Sequence, residues 1–104
     1  MAGGKIILSD FKLEAAEKAI LDNLVKNYKQ KIEEKIQFQE IRLRLKKSQH
    51  GKTFLHQVQG LMISSKRFTA ESSDFNLYAA TAEVFEKLMH EAEHHKRTAR
   101  QKQV

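Results

Sequence analysis

The stretch Glu40-Ile41-Arg42-Leu43-Arg44-Leu45-Lys46 decides the fold, because apolar and basic side chains alternate strictly along it. Successive side chains of a β-strand point to opposite faces, so this alternation predicts a half-buried strand. One face of the strand carries three aliphatic side chains, and the other carries Arg42, Arg44 and Lys46. The sequence therefore predicts a sheet with one packed face and one cationic face.

Three further strand candidates accompany this one. A short apolar strand is predicted at 5–8, a second strand covers 53–59, and a third ends with 67–71. Gly60 is expected to mark a bend or a bulge. The hairpin between the last two strands turns either at Gly60 or at Ser64-Ser65, and the sequence leaves both possibilities open.

Two segments have the periodicity of an amphipathic helix. The apolar stripe predicted for the first helix consists of Leu13, Ala16, Ile20, Leu24 and Tyr28. The stripe predicted for the second helix consists of Leu77, Thr81, Val84, Phe85, Leu88 and Ala92. Ser72-Ser73-Asp74 precedes the second helix and is predicted to cap it.

The order of these elements predicts an α+β fold. It corresponds to a two-layer β-α-β-β-β-α sandwich, in which two helices cover one face of a mainly antiparallel four-stranded sheet. With 104 residues, the chain is expected to form a single domain over 1–104. Residues 1–4 are expected to form a flexible leader and residues 97–104 a frayed basic tail.

Composition excludes several classes of function. The chain contains no cysteine, so it has no disulfide, no thiolate metal site and no cysteine nucleophile. Its longest apolar stretches fall far short of the roughly 20 residues of a membrane helix, so no membrane partner is expected. No glycine-rich phosphate loop, paired-carboxylate pattern or nucleophile motif is present, so we expect neither an enzyme nor a small-molecule substrate nor a cofactor.

The formal net charge is +6, and the positive charge is concentrated in two blocks. Residues 41–70 contain seven Lys and Arg side chains and no acidic one. Residues 94–104 contain four more, again without an acid. Two uncompensated basic blocks in one small domain favour binding to a polyanion such as a nucleic acid.

The part of the sequence from Arg67 onward resembles one known family. Its motifs are Arg-Phe-Thr-Ala-Glu at 67–71, Asp74, Leu-Tyr-Ala-Ala at 77–80, Glu-Lys-Leu at 86–88 and His-Lys at 95–96. In this order they resemble the ribosome hibernation-promoting factors, also called ribosome-associated inhibitor or protein Y, in their short form. The sequence departs from the family's pattern at Glu86, which replaces an aspartate, and at 90–92, where His-Glu-Ala replaces Arg-Gln-Leu.

The resemblance implies a fold, a partner and an activity. Family members have the β-α-β-β-β-α fold, bind ribosomal RNA of the small ribosomal subunit in the cytoplasm, and block the channel of messenger and transfer RNA during stress. A short form lacks the dimerisation domain of long members, so self-association through that domain is not expected.

The predicted RNA-binding residues have two sources. The family's basic positions on the second helix match Lys87, His95 and Lys96. The charge pattern alone nominates Arg42, Arg44, Lys46, Lys66, Arg67, Arg97 and Arg100. Such side chains neutralise phosphates and release condensed counterions, which gives salt-dependent and largely sequence-independent affinity.

The same residues allow other interpretations. The cations at 42, 44 and 46 would also suit the solvated side of an edge strand, where they discourage aggregation. A double-stranded-RNA-binding module, or a protein-interaction module with an acidic partner, would equally need a basic surface.

Histidines and aromatic residues are assigned to roles that need no ligand. His90 and His94 share a helix face, but a closed zinc site takes about four ligands and no others converge there, so no metal is expected. The aromatic residues of the strands and the second helix are assigned to the core rather than to base stacking. They are Phe54, Phe68, Phe75, Tyr78 and Phe85.

Overall fold

The computed structural model describes the backbone of residues 4–102 and the side chains of residues 4–96. Its elements are β1 (Lys5–Ser9), α1 (Ala15–Glu33), β2 (Glu40–His50), β3 (Thr53–Ile63), β4 (Arg67–Asp74) and α2 (Leu77–Lys102). The predicted α+β class and the β-α-β-β-β-α order are confirmed.

The two predicted chain ends fall largely outside this description. Residues 1–3 of the predicted leader lie outside the described residues, whereas Gly4 is buried against Phe38. The backbone of α2 is helical through Lys102, but the side chains from 97 onward lie outside the described residues. The fraying of the basic tail therefore stays a prediction.

The sheet has the strand order β1-β2-β3-β4, with β1 parallel to β2 and the other pairs antiparallel. A parallel pair needs a crossover connection, and α1 supplies it between β1 and β2. Because β1 pairs with β2 from Glu40 to Arg44, this part of β2 has neighbours on both sides. The edge-strand interpretation of Arg42 and Arg44 is therefore wrong.

The structure defines the register of the hairpin formed by β3 and β4. β3 continues through Ile63, and the chain turns at 64–66, where the amide of Ser64 donates to the carbonyl of Lys66 at 2.8 Å. Gly60 lies inside β3, opposite Leu43 and Ala70. Of the two possible turns, the one at Ser64-Ser65 is correct, and the expected bend or bulge at Gly60 is wrong.

Gly60 is required by packing instead. A Cβ at this position would overlap Cγ1 of Val84 and would lie 3.1 Å from Cδ2 of Leu43 and Cδ1 of Leu88. The missing side chain lets α2 approach the middle of the sheet closely. The whole predicted stripe of α2, from Leu77 to Ala92, is buried there.

The predicted stripe of the first helix is confirmed in part, because Leu13, Leu24 and Tyr28 pack against the core. Leu21 and Ile32 are the buried residues of α1, whereas Ile20 is 53% exposed and Ala16 is also exposed. Neighbouring residues of a helix are rotated by about 100°, so facing Leu21 toward the core turns Ile20 toward solvent. The stripe therefore continues into the polar segment around Ile32, which the sequence did not indicate.

The cap of α2 also differs from the prediction. Ser72-Ser73-Asp74 is the end of β4, because these residues pair with β3. The side-chain oxygen of Asn76 instead accepts hydrogen bonds from the amides of Tyr78 and Ala79, at 2.9 and 3.1 Å. Asn76 is therefore the residue that caps α2.

One polar cluster joins the two helices. The Tyr28 ring stacks on Phe85 with centroids 5.1 Å apart, and its hydroxyl donates to Oε2 of Glu86 at 2.8 Å. Nζ of Lys31 donates to the same carboxylate oxygen at 3.1 Å. Burial first, and then the hydrogen bond and negative charge of Glu86, raise the pKa of Tyr28 to about 12. The hydrogen bonds from Tyr28 and then Lys31 outweigh partial burial and lower the pKa of Glu86.

Over the residues described, neither α1 nor α2 combines the length and the apolar character needed to cross a bilayer.

Gly60→Ala should destabilise the fold by about 1–3 kcal/mol, because the added methyl group would overlap Val84. Guanidinium denaturation measures this loss. The same substitution should be less damaging in a Val84→Ala background, where the overlapping methyl group is absent. Strictly additive free energies of unfolding would contradict the close approach of α2.

Glu86→Gln should lower the pKa of Tyr28 without restoring its ordinary value, since burial is the larger cause of the shift. A spectrophotometric tyrosinate titration, assigned with Tyr28→Phe, measures this pKa. The folded-state pKa of Glu86 is depressed, so its stabilising contribution is present above its unfolded-state pKa and is lost as pH falls. The free energy of unfolding of the variant should therefore fall less steeply toward acid pH. An unchanged pH dependence would contradict the hydrogen bonds that Glu86 accepts from Tyr28 and Lys31.

Candidate nucleic-acid interface

The side of the sheet that faces away from both helices is exposed, and we call it the outer face. The alternation along β2 buries Ile41, Leu43 and Leu45 on the helix side and leaves Arg42 and Arg44 pointing outward. Their side chains are 60% and 71% exposed. By strand register, the outer face is formed by Ile7, Ser9, Arg42, Arg44, Lys46, Gln57, Gln59, Leu61, Thr69 and Glu71, and Arg67 lies on the same face at the start of β4.

Both arginines of the outer face have a carboxylate partner. Nε of Arg42 is paired with Glu40, and Nε of Arg44 donates to Oδ2 of Asp10 at 3.0 Å. Asp10 adopts a left-handed backbone conformation with φ of 63°, directly after β1. Exposed ion pairs contribute about 0–1 kcal/mol, so a phosphate can replace either carboxylate at little cost. Lys46 has no ion-pair partner among the described side chains.

A shallow groove of about 530 Å³ crosses the outer face. Arg42 and Arg44 lie on its β2 side, and Glu71 lies on its β4 side. The amide groups of Gln57 and Gln59 each donate to Glu71 at 3.4 Å. The attraction for a phosphate is therefore strongest along β2, and the side chain of Gln59 lines the groove beside it.

A second group of predicted residues meets at the end of the sheet where β3 turns into β4. Lys66 lies in that turn and Arg67 begins β4, and both are exposed. The ring of His95 packs against Phe68, with centroids 5.8 Å apart, which brings the basic end of α2 to the same place. Nζ of Lys96 donates to the carbonyl of Lys35 at 3.5 Å. We call Lys66, Arg67, His95 and Lys96 the turn-end group.

Arg97 and Arg100 follow this group along α2. Their side chains lie outside the described residues, so their predicted contacts with RNA stay predictions.

Lys87 belongs to neither group, because it lies along the edge of the sheet. Its amino group donates to the backbone carbonyl of Glu71 at 2.9 Å and pairs with Glu83 at 3.2 Å. β4 is an edge strand, and an ammonium group on such an edge blocks pairing with another chain. Lys87 therefore has a structural role at this edge, and its predicted RNA contact stays a prediction.

Two aromatic residues do not belong to the core. Phe85 is fully buried and Phe68 and Tyr78 are half-buried, as expected, but Phe54 and Phe75 are 48% and 57% exposed. The assignment of these two to the core is wrong. Phe54 lies on the part of the β2–β3 hairpin beyond the buried pair Leu45 and Val58, and Phe75 lies in the connection between β4 and α2 at the same end of the sheet.

Two exposed lysines of the same hairpin, Lys47 and Lys52, were not nominated from the sequence. The absence of any acidic residue between 41 and 70 is a signal that could have found them. Among the described residues, no group of three or more His, Asp or Glu side chains is placed to hold a metal ion.

Comparison with known proteins gives a match in structure alone. No protein-family model matches the sequence, and no curated protein matches it either. A ribosomal subunit interface protein from Coxiella burnetii superimposes with a TM-score of 0.61 at 12% identity, covering 89% of this chain and 98% of that one. The N-terminal domain of Protein Y from Thermus thermophilus gives a TM-score of 0.52 at 17% identity, covering 90% and 98%.

The chain has the fold of the N-terminal domain of Protein Y. The motifs between Arg67 and Lys96 implied this fold, and the implied fold is confirmed. At these identities the likeness extends to the fold and not to individual residues.

Lys87→Ala should expose the edge of β4, because it removes the ammonium group from the carbonyl of Glu71. We expect stronger concentration-dependent self-association in sedimentation velocity, with little change in the unfolding midpoint. Lys26→Ala, which removes an exposed lysine of α1, is the matched control. Equal association of the two variants would contradict the edge-blocking role.

Proposed function

We propose that this chain is a translation inhibitor that binds ribosomal RNA of the small ribosomal subunit and blocks the channel of messenger and transfer RNA. The observation that carries the proposal is the outer face. It presents the exposed guanidinium groups of Arg42 and Arg44 on a fold shared with a ribosomal subunit interface protein. Such a protein would act in the cytoplasm, where ribosomes translate.

The charges suit a folded RNA rather than a particular base sequence. Folded RNA is recognised largely by shape and backbone, and a guanidinium group can grip a phosphate with two parallel hydrogen bonds. Arg42 and Arg44 are two residues apart on one strand, so their Cα atoms are separated by about 7 Å, which is close to the spacing of successive phosphates. The weak ion pairs with Glu40 and Asp10 hold both side chains on the outer face until RNA replaces the carboxylates.

The turn-end group supports a second contact. Lys66 and Arg67 have no ion-pair partner among the described residues, and the packing of His95 on Phe68 brings the basic end of α2 to the same end of the sheet. Two cationic surfaces on one rigid domain suit a cleft with RNA on more than one side. Inhibition then needs no catalytic group, because occupation of the cleft excludes the substrates of translation.

The double reversal Arg42→Glu and Arg44→Glu should weaken co-sedimentation with purified small subunits by at least about tenfold and reduce the salt dependence by about two units. The matched control is Lys18→Glu with Lys26→Glu, which changes the net charge equally on exposed positions of α1. Naked duplex RNA is the competitor that separates a ribosomal site from a general duplex-binding module.

Circular dichroism should show that both double variants keep the fold, because all four side chains are exposed. Undiminished co-sedimentation of the folded Arg42/Arg44 variant would refute the outer face as the contact. If the control variant weakens co-sedimentation equally, the effect is one of net charge. If an equal amount of naked duplex RNA displaces the chain from the subunits, the duplex-binding module is favoured.

A further inference from the structure

The far end of the β2–β3 hairpin combines exposed aromatic rings with unpaired cations, and the proposed function does not use it. Phe54 and Phe75 are the most exposed aromatic side chains among the large exposed hydrophobic residues of the described chain. Cations and histidines surround them. We call this surface the hairpin tip, and it consists of Lys47, His50, Lys52, Phe54, His56 and Phe75.

The backbone places the two phenylalanines at the same end of the sheet. His56 is the first residue of β3 that pairs with β4, opposite Asp74, and its Nδ1 donates to the carbonyl of Phe75 at 2.9 Å. Phe54 lies two residues before His56 on the same face of the strand, a distance of about 7 Å along the chain. The ring of His50 contacts Phe75 edge-on, with centroids 6.1 Å apart. The Phe75 ring is therefore held on one side by His50, and both rings are open to solvent.

The hairpin tip carries positive charge on two lysines. Lys47 and Lys52 are exposed and have no ion-pair partner among the described residues. The nearest carboxylate by strand register, Asp74, accepts a hydrogen bond from the amide of Asn76 at 2.8 Å. An anionic ligand with flat apolar surfaces complements this combination of ammonium groups and rings.

We propose that the hairpin tip binds unpaired nucleotides of single-stranded RNA. Bases would stack on Phe54 and Phe75, while Lys47 and Lys52 would contact the flanking phosphates. Paired bases bury their flat surfaces in the helix stack, so only an unpaired strand offers them to the rings. The inference deepens the proposed function and rests on it only for the source of the RNA, since the binding itself is measurable without ribosomes.

Fluorescence anisotropy with a short labelled single-stranded oligoadenylate tests this site directly. Phe54→Leu and Phe75→Leu should each weaken binding by about tenfold, because each removes a stacking surface and keeps an apolar side chain. Lys47→Gln and Lys52→Gln should each reduce the salt dependence by about one unit. Ile20→Ala removes an exposed hydrophobic side chain from α1 and should leave the affinity unchanged.

The outcomes separate this site from the proposed function. Wild-type affinity in both folded leucine variants would overturn the stacking site, whatever the ribosome experiment gives. Equally tight binding to a duplex of the same length, or equal competition by polyglutamate, would also overturn it by reducing the tip to a general anion-binding surface. Oligonucleotide binding that depends on Phe54 and Phe75, in a chain that ignores ribosomes, would support the tip and refute the proposed function. Should a leucine variant fail to fold, the salt dependence of the lysine variants decides.

Discussion

The alternation along β2 ties the hydrophobic core to the charged surface. Ile41, Leu43 and Leu45 are buried beneath the helices, and the same extended backbone directs Arg42 and Arg44 to the opposite side. A slip of one residue in the pairing of β2 would exchange the two faces and bury cations. Burial of unpaired charges is far more costly than the whole stability of a small domain allows. The strand register that forms the core therefore also places the cationic side chains on the outer face.

The helices leave that face open because all of their packing is on the other side. Gly60 admits α2 to the middle of the sheet, and the Tyr28–Glu86–Lys31 cluster holds α1 against α2. Lys87 blocks the β4 edge with its amino group. What remains exposed is a broad outer face, the turn-end group and the hairpin tip, each with its own arrangement of cations. The fold acts as a stiff support for charges whose positions are set by strand register and helix packing.

Local patterns predicted the elements in which one interaction dominates. Strict alternation was sufficient for β2, and the stripe from Leu77 to Ala92 was sufficient for α2, since no competing period runs through either segment. In α1, two overlapping series with spacings of three and four exist. Both series contain Tyr28, and only the burial of Leu21 and Ile32 against distant segments of the chain turns Ile20 toward solvent.

Other features depended on contacts that a single segment does not contain. Ser72-Ser73-Asp74 has good capping chemistry, but pairing with β3 takes these residues into the sheet and leaves the cap to Asn76. Phe54 and Phe75 have the spacing of core residues, yet they lie beyond the buried end of the core. The basic residues were nominated by charge alone. Strand register sets which of them lie on the outer face, and the packing of His95 on Phe68 brings the basic end of α2 to the turn between β3 and β4.

Hydroxyl-radical footprinting of the chain bound to purified small ribosomal subunits tests the central claim most directly, because it reports which face of the domain is covered. The account predicts protection of Ile7 and Leu61, the reactive side chains that flank Arg42 on the outer face, while Ile20 on α1 stays as reactive as in the free chain. A bound chain whose Ile7 and Leu61 react as they do in solution would contradict it.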